Sequence, residues 1–195
     1  MGLKPNEMVA AVIIVAFVLV IVAVGLYPTL HQATSKQCLA NLKEVNTAIS
    51  LYAGDNGVTF PRAENWADVL APQYLEDINR LVCPSAQPTP EQLAGLKNGE
   101  GPGVPIGYAV FRPLVCLPTS RFADPAKTPV VFDSTDIRRD AVADITTLDL
   151  RHVGKVGNIS FSDGHIESVS QAPAVPKPLF KPAEPPAKRA TPPGP

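Results

Sequence analysis

From Met8 to Leu26 the chain reads MVAAVIIVAFVLVIVAVGL, nineteen residues without a charge. At ~1.5 Å per residue a helix of that length crosses the ~30 Å hydrocarbon core of a bilayer. Apolar residues occupy every face, which leaves no polar stripe for an interfacial or soluble amphipathic helix. The sequence therefore predicts a short N-terminal segment over 1–7 and a transmembrane helix over 8–27. A cleaved secretory signal is the competing reading; it needs an apolar stretch of about 7–15 residues and an A-x-A-like site, and no such site precedes Ser35. Lys4 on one side and Lys36 and Lys43 on the other leave the orientation open by charge alone.

Beyond Tyr27-Pro28 the stretch Thr29–Ala53 carries Cys38, Leu42, Val45, Ile49 and Tyr52 at helical spacing, with Lys36, Lys43, Glu44 and Asn46 on other faces. The pattern predicts a spine helix over 29–53 that continues the span, with one face packed. Pro28 is placed to kink it by removing a backbone hydrogen bond. Gly54-Asp55-Asn56-Gly57 then stops it. A short helix is expected around Trp66, Val69, Leu70, Tyr74 and Leu75, with Asn65 as its N-cap. Residues 85–105 are a Pro- and Gly-rich loop with a helical turn at Glu91–Lys97.

Strands are expected at Ile106–Phe111, Thr128–Phe132 and Thr146–His152. A hairpin is expected from Gly157–Ser162 and His165–Ser170 around a type I′ Asp163-Gly164 turn. That turn pairs Phe161 with Ile166 and puts Ile159, Phe161 and Ile166 on one face, toward the spine.

From Ala172 onward, nine prolines in 24 residues and a charge of +3 predict a disordered tail over 172–195. Residues 1–171 carry 13 basic against 17 acidic residues. With no basic stripe interleaved with aromatics, nucleic acid is excluded as a partner class.

The run QCLANLKEVNTAISLYAGDNGVTFP, Gln37 to Pro61, resembles bacterial type IV pilin-like and type II secretion pseudopilin-like proteins, specifically those with a C-terminal His-x9-Asp-Gly domain. Trp66 with Tyr74-Leu75, Cys83-Pro84-Ser85, Tyr108, Thr128-Pro129 leading to Asp133, and RHVGKVGNISFSDGHIESV from Arg151 to Val169 follow in family order. The resemblance implies an α+β pilin-like fold over 28–171, with the long N-terminal helix packed on a small antiparallel sheet. It also implies a single-pass protein of the inner (cytoplasmic) membrane whose C-terminal domain is periplasmic or extracellular. Its partners would be the lipid bilayer, other pilin-like subunits, and inner-membrane secretion or pilus assembly components.

Family prepilins are cleaved after a Gly that precedes an apolar run and a Glu. Gly2 and Glu7 hold the corresponding positions, with Leu3 as the first residue after the cleavage point, but Leu3, Lys4, Pro5 and Asn6 replace the apolar run. Glu7 would pair with a neighbouring subunit's N-terminal amine inside lipid or, at the edge of the span, be solvated. At the other end His152 and Asp163 are separated by ten residues, one more than the family pattern, which places an extra residue in a loop or bulge.

His152, Asp163 and His165 are the ligand-like cluster, and with Gly164 they form the C-terminal motif. A metal or acid–base role competes there with a purely structural one, since Asp163 and Gly164 suit a tight turn. Asp133 and Asp136, with Asp140, Asp144, Ser134 and Thr135 nearby, offer oxygens to Ca2+, an ion the resemblance brings with it, although EF-hand spacing is absent. No Gly-x-Ser-x-Gly elbow or phosphate-binding glycine loop occurs, so no enzyme activity and no other cofactor is expected. Cys38, Cys83 and Cys116 are odd in number. In an exported domain Cys83–Cys116 is the preferred bridge, because Cys38 lies on the packed helix face, with the other pairings left open. The reading is a structural subunit that assembles into a pilus or secretion pseudopilus through its N-terminal helices. The alternative is a non-polymerising, membrane-anchored binding module on the same fold.

Overall fold

The computed structural model of the chain describes residues 5–62, 65–71, 73–86, 107–175, 177 and 179–181. Helix α1 runs from Pro5 to Asp55 over 51 residues, about 75 Å of continuous helix. Pro28 lies within it and does not interrupt it. The most apolar 18-residue window has a mean hydropathy of 2.8, and none of it is buried. α1 is thus long and apolar enough to cross a membrane.

Further along, the same helix acquires a buried face made by Cys38, Asn41, Leu42, Val45, Ala48, Ile49 and Ala53, the three- and four-residue spacing of one helical stripe. Asn46, expected on a polar face, is buried too, and its amide donates to the Phe161 carbonyl at 3.4 Å. The helix ends at Asp55, and Gly57 takes the positive φ of the exit turn at +67°.

Five strands form the sheet that covers this face: β1 (Tyr108–Phe111), β2 (Pro129–Asp133), β3 (Val142–Ala143), β4 (Gly157–Phe161) and β5 (Ile166–Val169), in the order β3-β1-β2-β4-β5. The architecture is α+β as expected, but the sheet is mixed rather than antiparallel. β3 pairs parallel to β1 through Val110↔Val142 and Phe111↔Ala143.

The predicted strand Thr146–His152 is instead a 3-10 turn at Ile145–Thr147 followed by two isolated bridges, Ser134↔Leu148 and His152↔Val156. Thr147 donates its hydroxyl to the Asp144 carbonyl at 2.9 Å, a local bond that competes with a strand ladder.

The β4–β5 hairpin also departs from expectation. Its loop has three residues, Ser162-Asp163-Gly164, closed by Phe161 N–H donating to the His165 carbonyl at 2.9 Å. Only Gly164 has a positive φ, +94°, so the turn is not type I′. One extra loop residue moves the register by one: Ser160 faces Ile166 and Ile159 faces Glu167. Ile166 therefore lies on the sheet face opposite Ile159 and Phe161.

Helix α2 (Trp66–Leu70) forms where expected, but Asn65 makes no side-chain cap. The cap comes from Asp140, whose Oδ1 accepts the Ala67 N–H at 2.6 Å, while the Trp66 indole donates to the Ala141 carbonyl at 3.2 Å. Part of the segment expected to be tail is seated on the domain. Phe122 and Phe180 form an isolated bridge with ring centroids 6.0 Å apart, and Lys181 N–H donates to the Arg121 carbonyl at 2.8 Å. Phe180 supplies an aromatic ring that packs on buried Phe122. The expected turn at Glu91–Lys97 and residues 182–195 lie outside the described residues.

Candidate functional site

The residues singled out from the sequence do not converge on one place. Gly2 and Leu3 lie outside the described residues, and Glu7 is in the first turn of α1. Asp163, Gly164 and His165 form the exposed hairpin tip. Asp163 Oδ1 meets His165 Nδ1 at 2.5 Å, and the imidazole stacks on Phe161 with centroids 4.4 Å apart. Partial burial acts to raise the Asp163 pKa, but the hydrogen bonds and charge of His165 outweigh it and hold the carboxyl below its ordinary value. This arrangement organises the turn.

Asp136 chelates Arg138, with Oδ1 accepting from Nε at 2.9 Å and Oδ2 from Nη2 at 2.6 Å. That bond lowers its pKa against a smaller opposing effect of burial. Asp133 is fully buried and engaged elsewhere. The two carboxylates expected to offer oxygens to Ca2+ thus have separate partners, Asp136 through both oxygens and Asp133 through Oδ2, while Asp133 Oδ1 is buried without a partner. Among the described residues the three-ligand group is Cys38, Cys83 and His152.

That group is built by α1, the segment after α2 and the loop before β4. The chain from Ile78 to Cys83 lies along α1, held by Asn41 donating its amide to the Val82 carbonyl at 2.9 Å and by Arg80 pairing with Glu44 at 3.2 Å. Cys83 is thereby laid against Cys38, and the two are joined in a disulfide with Cα atoms 4.9 Å apart, well within the usual range of roughly 4.4–6.8 Å. The expected Cys83–Cys116 bridge does not form, and Cys116 is a free, exposed thiol on a turn. Location on the packed face does not isolate Cys38, because the element packed there is the one that carries Cys83.

His152 completes the group from the other side. Its Nε2 meets Asp133 Oδ2 at 2.7 Å, and the same oxygen accepts the Asn158 N–H at 2.7 Å. A proton on Nε2 shared with a carboxylate leaves the lone pair of the neutral imidazole on Nδ1, and Nδ1 is buried without a partner. A ring nitrogen of His152 and the sulfurs of Cys38 and Cys83 lie within 4.8 Å of one another.

Tyr108 closes the group on the helix side, its hydroxyl donating to the Cys38 carbonyl at 3.0 Å. Burial first, then the nearby Asp133 charge, push the phenol far above its ordinary pKa, so it remains a neutral donor. A cavity of about 550 Å³ opens beside the cluster, with Ser35, Pro84, Ser85, Arg151 and Val153 in its wall. Pro84 and Ser85 follow Cys83 in sequence, and Arg151 and Val153 flank His152.

The Asp133–His152 contact joins residues separated by 19 positions, and the motif pattern ties His152 to Asp163 instead. The spacing in the chain contains no signal for it, whereas the Cys83-Pro84-Ser85 run is visible in the sequence but is assigned there to Cys116 rather than to Cys38. Comparison with protein-family models, with curated proteins and with solved structures finds no match to this chain.

Proposed function

We propose that this protein is a membrane-anchored, pseudopilin-like structural subunit that assembles into a pilus or secretion pseudopilus by lateral packing of its N-terminal helices. The observation that carries the reading is the division of α1 into an unburied apolar half and a half that forms the wall of the domain core. Fourteen large apolar side chains between Met8 and Leu26 are 47–70% exposed. At about 1.5–3 kcal/mol for full burial of each, the burial outstanding at that exposure is roughly 13–25 kcal/mol. That is comparable to or larger than the ~5–15 kcal/mol stability of an ordinary domain, a driving force that lipid or like helices would satisfy. In a bilayer the driving force between such helices is packing, and head-to-tail contacts of one chain type extend into a helical array whenever their rotation does not close a ring.

The proposed role is assembly rather than catalysis, with the domain periplasmic or extracellular and the secretion or pilus machinery of the inner membrane as partner. The resemblance of Gln37–Pro61 and Arg151–Val169 to pilin-like sequences supports this placement. The polar residues Lys4 and Asn6 ahead of the span favour the second reading, a static anchored binding module.

Mass spectrometry of the N-terminal peptide, with electron microscopy of sheared cell-surface material, separates the two. Loss of Met1-Gly2 together with filaments containing the chain is the expected result. An intact start at Met1 or Gly2 with no filaments overturns assembly and leaves the anchored module.

A further inference from the structure

We propose that Cys38 and Cys83, once reduced, form with His152 a binding site for one zinc ion, so that the same two sulfurs serve either as a covalent staple or as metal ligands. Two thiolates and an imidazole are a donor set that zinc favours, and the three ligand atoms already lie within 4.8 Å of one another. Side-chain adjustments of rotamer size bring them to the ~2.0–2.3 Å that zinc requires.

The independent observation is at His152. The residue is 5% exposed, and its Nδ1 is buried with no hydrogen-bond partner, an arrangement that costs stability until a partner binds the atom. Asp133 holds the opposite nitrogen at 2.7 Å, which orients the ring and fixes the tautomer, as outer carboxylates do for metal-bound histidines. The Ser85 N–H, donating toward Cys38 Sγ at 3.4 Å, is placed to stabilise a thiolate. A cavity of about 550 Å³ lies one residue away on either side, walled by Pro84 and Ser85 next to Cys83 and by Arg151 and Val153 next to His152.

The chemistry balances. A dithiol reductant transfers two electrons and two protons to the Cys38–Cys83 disulfide and is itself oxidised to a disulfide. Zinc then displaces one proton from each thiol as the two sulfur–metal bonds form, and the imidazole contributes its Nδ1 lone pair without losing a proton.

The test uses the full chain in detergent micelles, reduced and freed of reductant without oxygen, with zinc as the probe. Cys116, free and exposed, is an internal control for alkylation. Zinc is expected to slow alkylation of Cys38 and Cys83 by tenfold or more while Cys116 reacts unchanged, with one zinc taken up per reduced chain and none per oxidised chain. Cobalt(II) in its place should show thiolate-to-metal charge transfer.

Asp133→Asn is expected to weaken binding by about 10–100-fold, and His152→Gln by at least the same factor. Equal alkylation of Cys38 and Cys83 with and without zinc overturns the proposal. So does equal uptake by the disulfide form, or unchanged affinity in His152→Gln. If the variants do not fold, alkylation of the wild-type protein decides alone.

Discussion

Reducing the Cys38–Cys83 bridge in the presence of EDTA should destabilise the domain by about 4 kcal/mol. The two residues are 45 positions apart. The chain-entropy relation assigns roughly 13 cal/mol/K to closing a loop of that length, which is about 4 kcal/mol at 25 °C. With a urea dependence of about 2 kcal/mol per molar for a domain of this size, the unfolding midpoint should fall by about 2 M. Trp66 is the single tryptophan, is 1% exposed, and donates its indole N–H to a backbone carbonyl, so its fluorescence reports the loss of the core. The wild-type protein would be titrated with urea in a mild non-ionic detergent, with and without a phosphine reductant, beside Cys116→Ala. Cys116→Ala should unfold within ~0.5 kcal/mol of wild type and remain fully sensitive to reduction. A reduction-induced shift below about 0.5 M would refute the reasoning, as would a Cys116→Ala protein that has lost its response to reductant, because the bridge would then include Cys116.

Three further outcomes follow from particular contacts. His152→Ala strands the buried Asp133 carboxylate on a single Asn158 N–H and should cost about 3–5 kcal/mol. The double variant with Asp133→Ala should cost clearly less than the sum of the two single changes, as a double-mutant cycle of urea midpoints will show. Asp140→Ala removes the side chain that accepts the Ala67 N–H and should cost about 0.5–2 kcal/mol, whereas Asn65→Ala should be neutral, both read by the same titration. Asp136 has its pKa lowered by Arg138, so its contribution to stability is present above the unfolded-state value near 3.9 and is lost as pH falls through the folded value. At its solvent-accessible position the gap between wild type and Asp136→Asn should be no more than ~1 kcal/mol at pH 7. It should vanish progressively below about pH 4.

In the proposed assembly the location of the staple has a mechanical consequence. Cys38 lies twelve residues beyond Leu26, about 18 Å along the helix, and ties the Cys83 segment to the part of α1 nearest the apolar half. The contacts of Asn41 with Val82 and of Arg80 with Glu44 lie in the same region. A load applied through α1 would thus meet a covalent tie and a charge-assisted one before it reaches the sheet.

The features legible in the sequence are those that repeat along one segment. Nineteen uncharged residues define an apolar helix wherever they occur, because backbone hydrogen bonding in lipid leaves few alternatives. The stripe from Cys38 to Tyr52 likewise announces which face of α1 is packed. β1, β2, β4 and β5 were visible as apolar or alternating runs. What the sequence could not contain were contacts between distant segments. Asp140 rather than Asn65 caps α2, because capping needs only an oxygen in the right place, and the tertiary fold brought one from 73 residues away. The hairpin register depended on whether Ser162 belongs to the strand or to the loop, a small energetic difference with a whole-face consequence. The cluster of Cys38, Cys83, His152 and Asp133 exists only because three elements meet against α1. Local patterning states that each side chain faces inward, while the packing of those elements decides which of them meet.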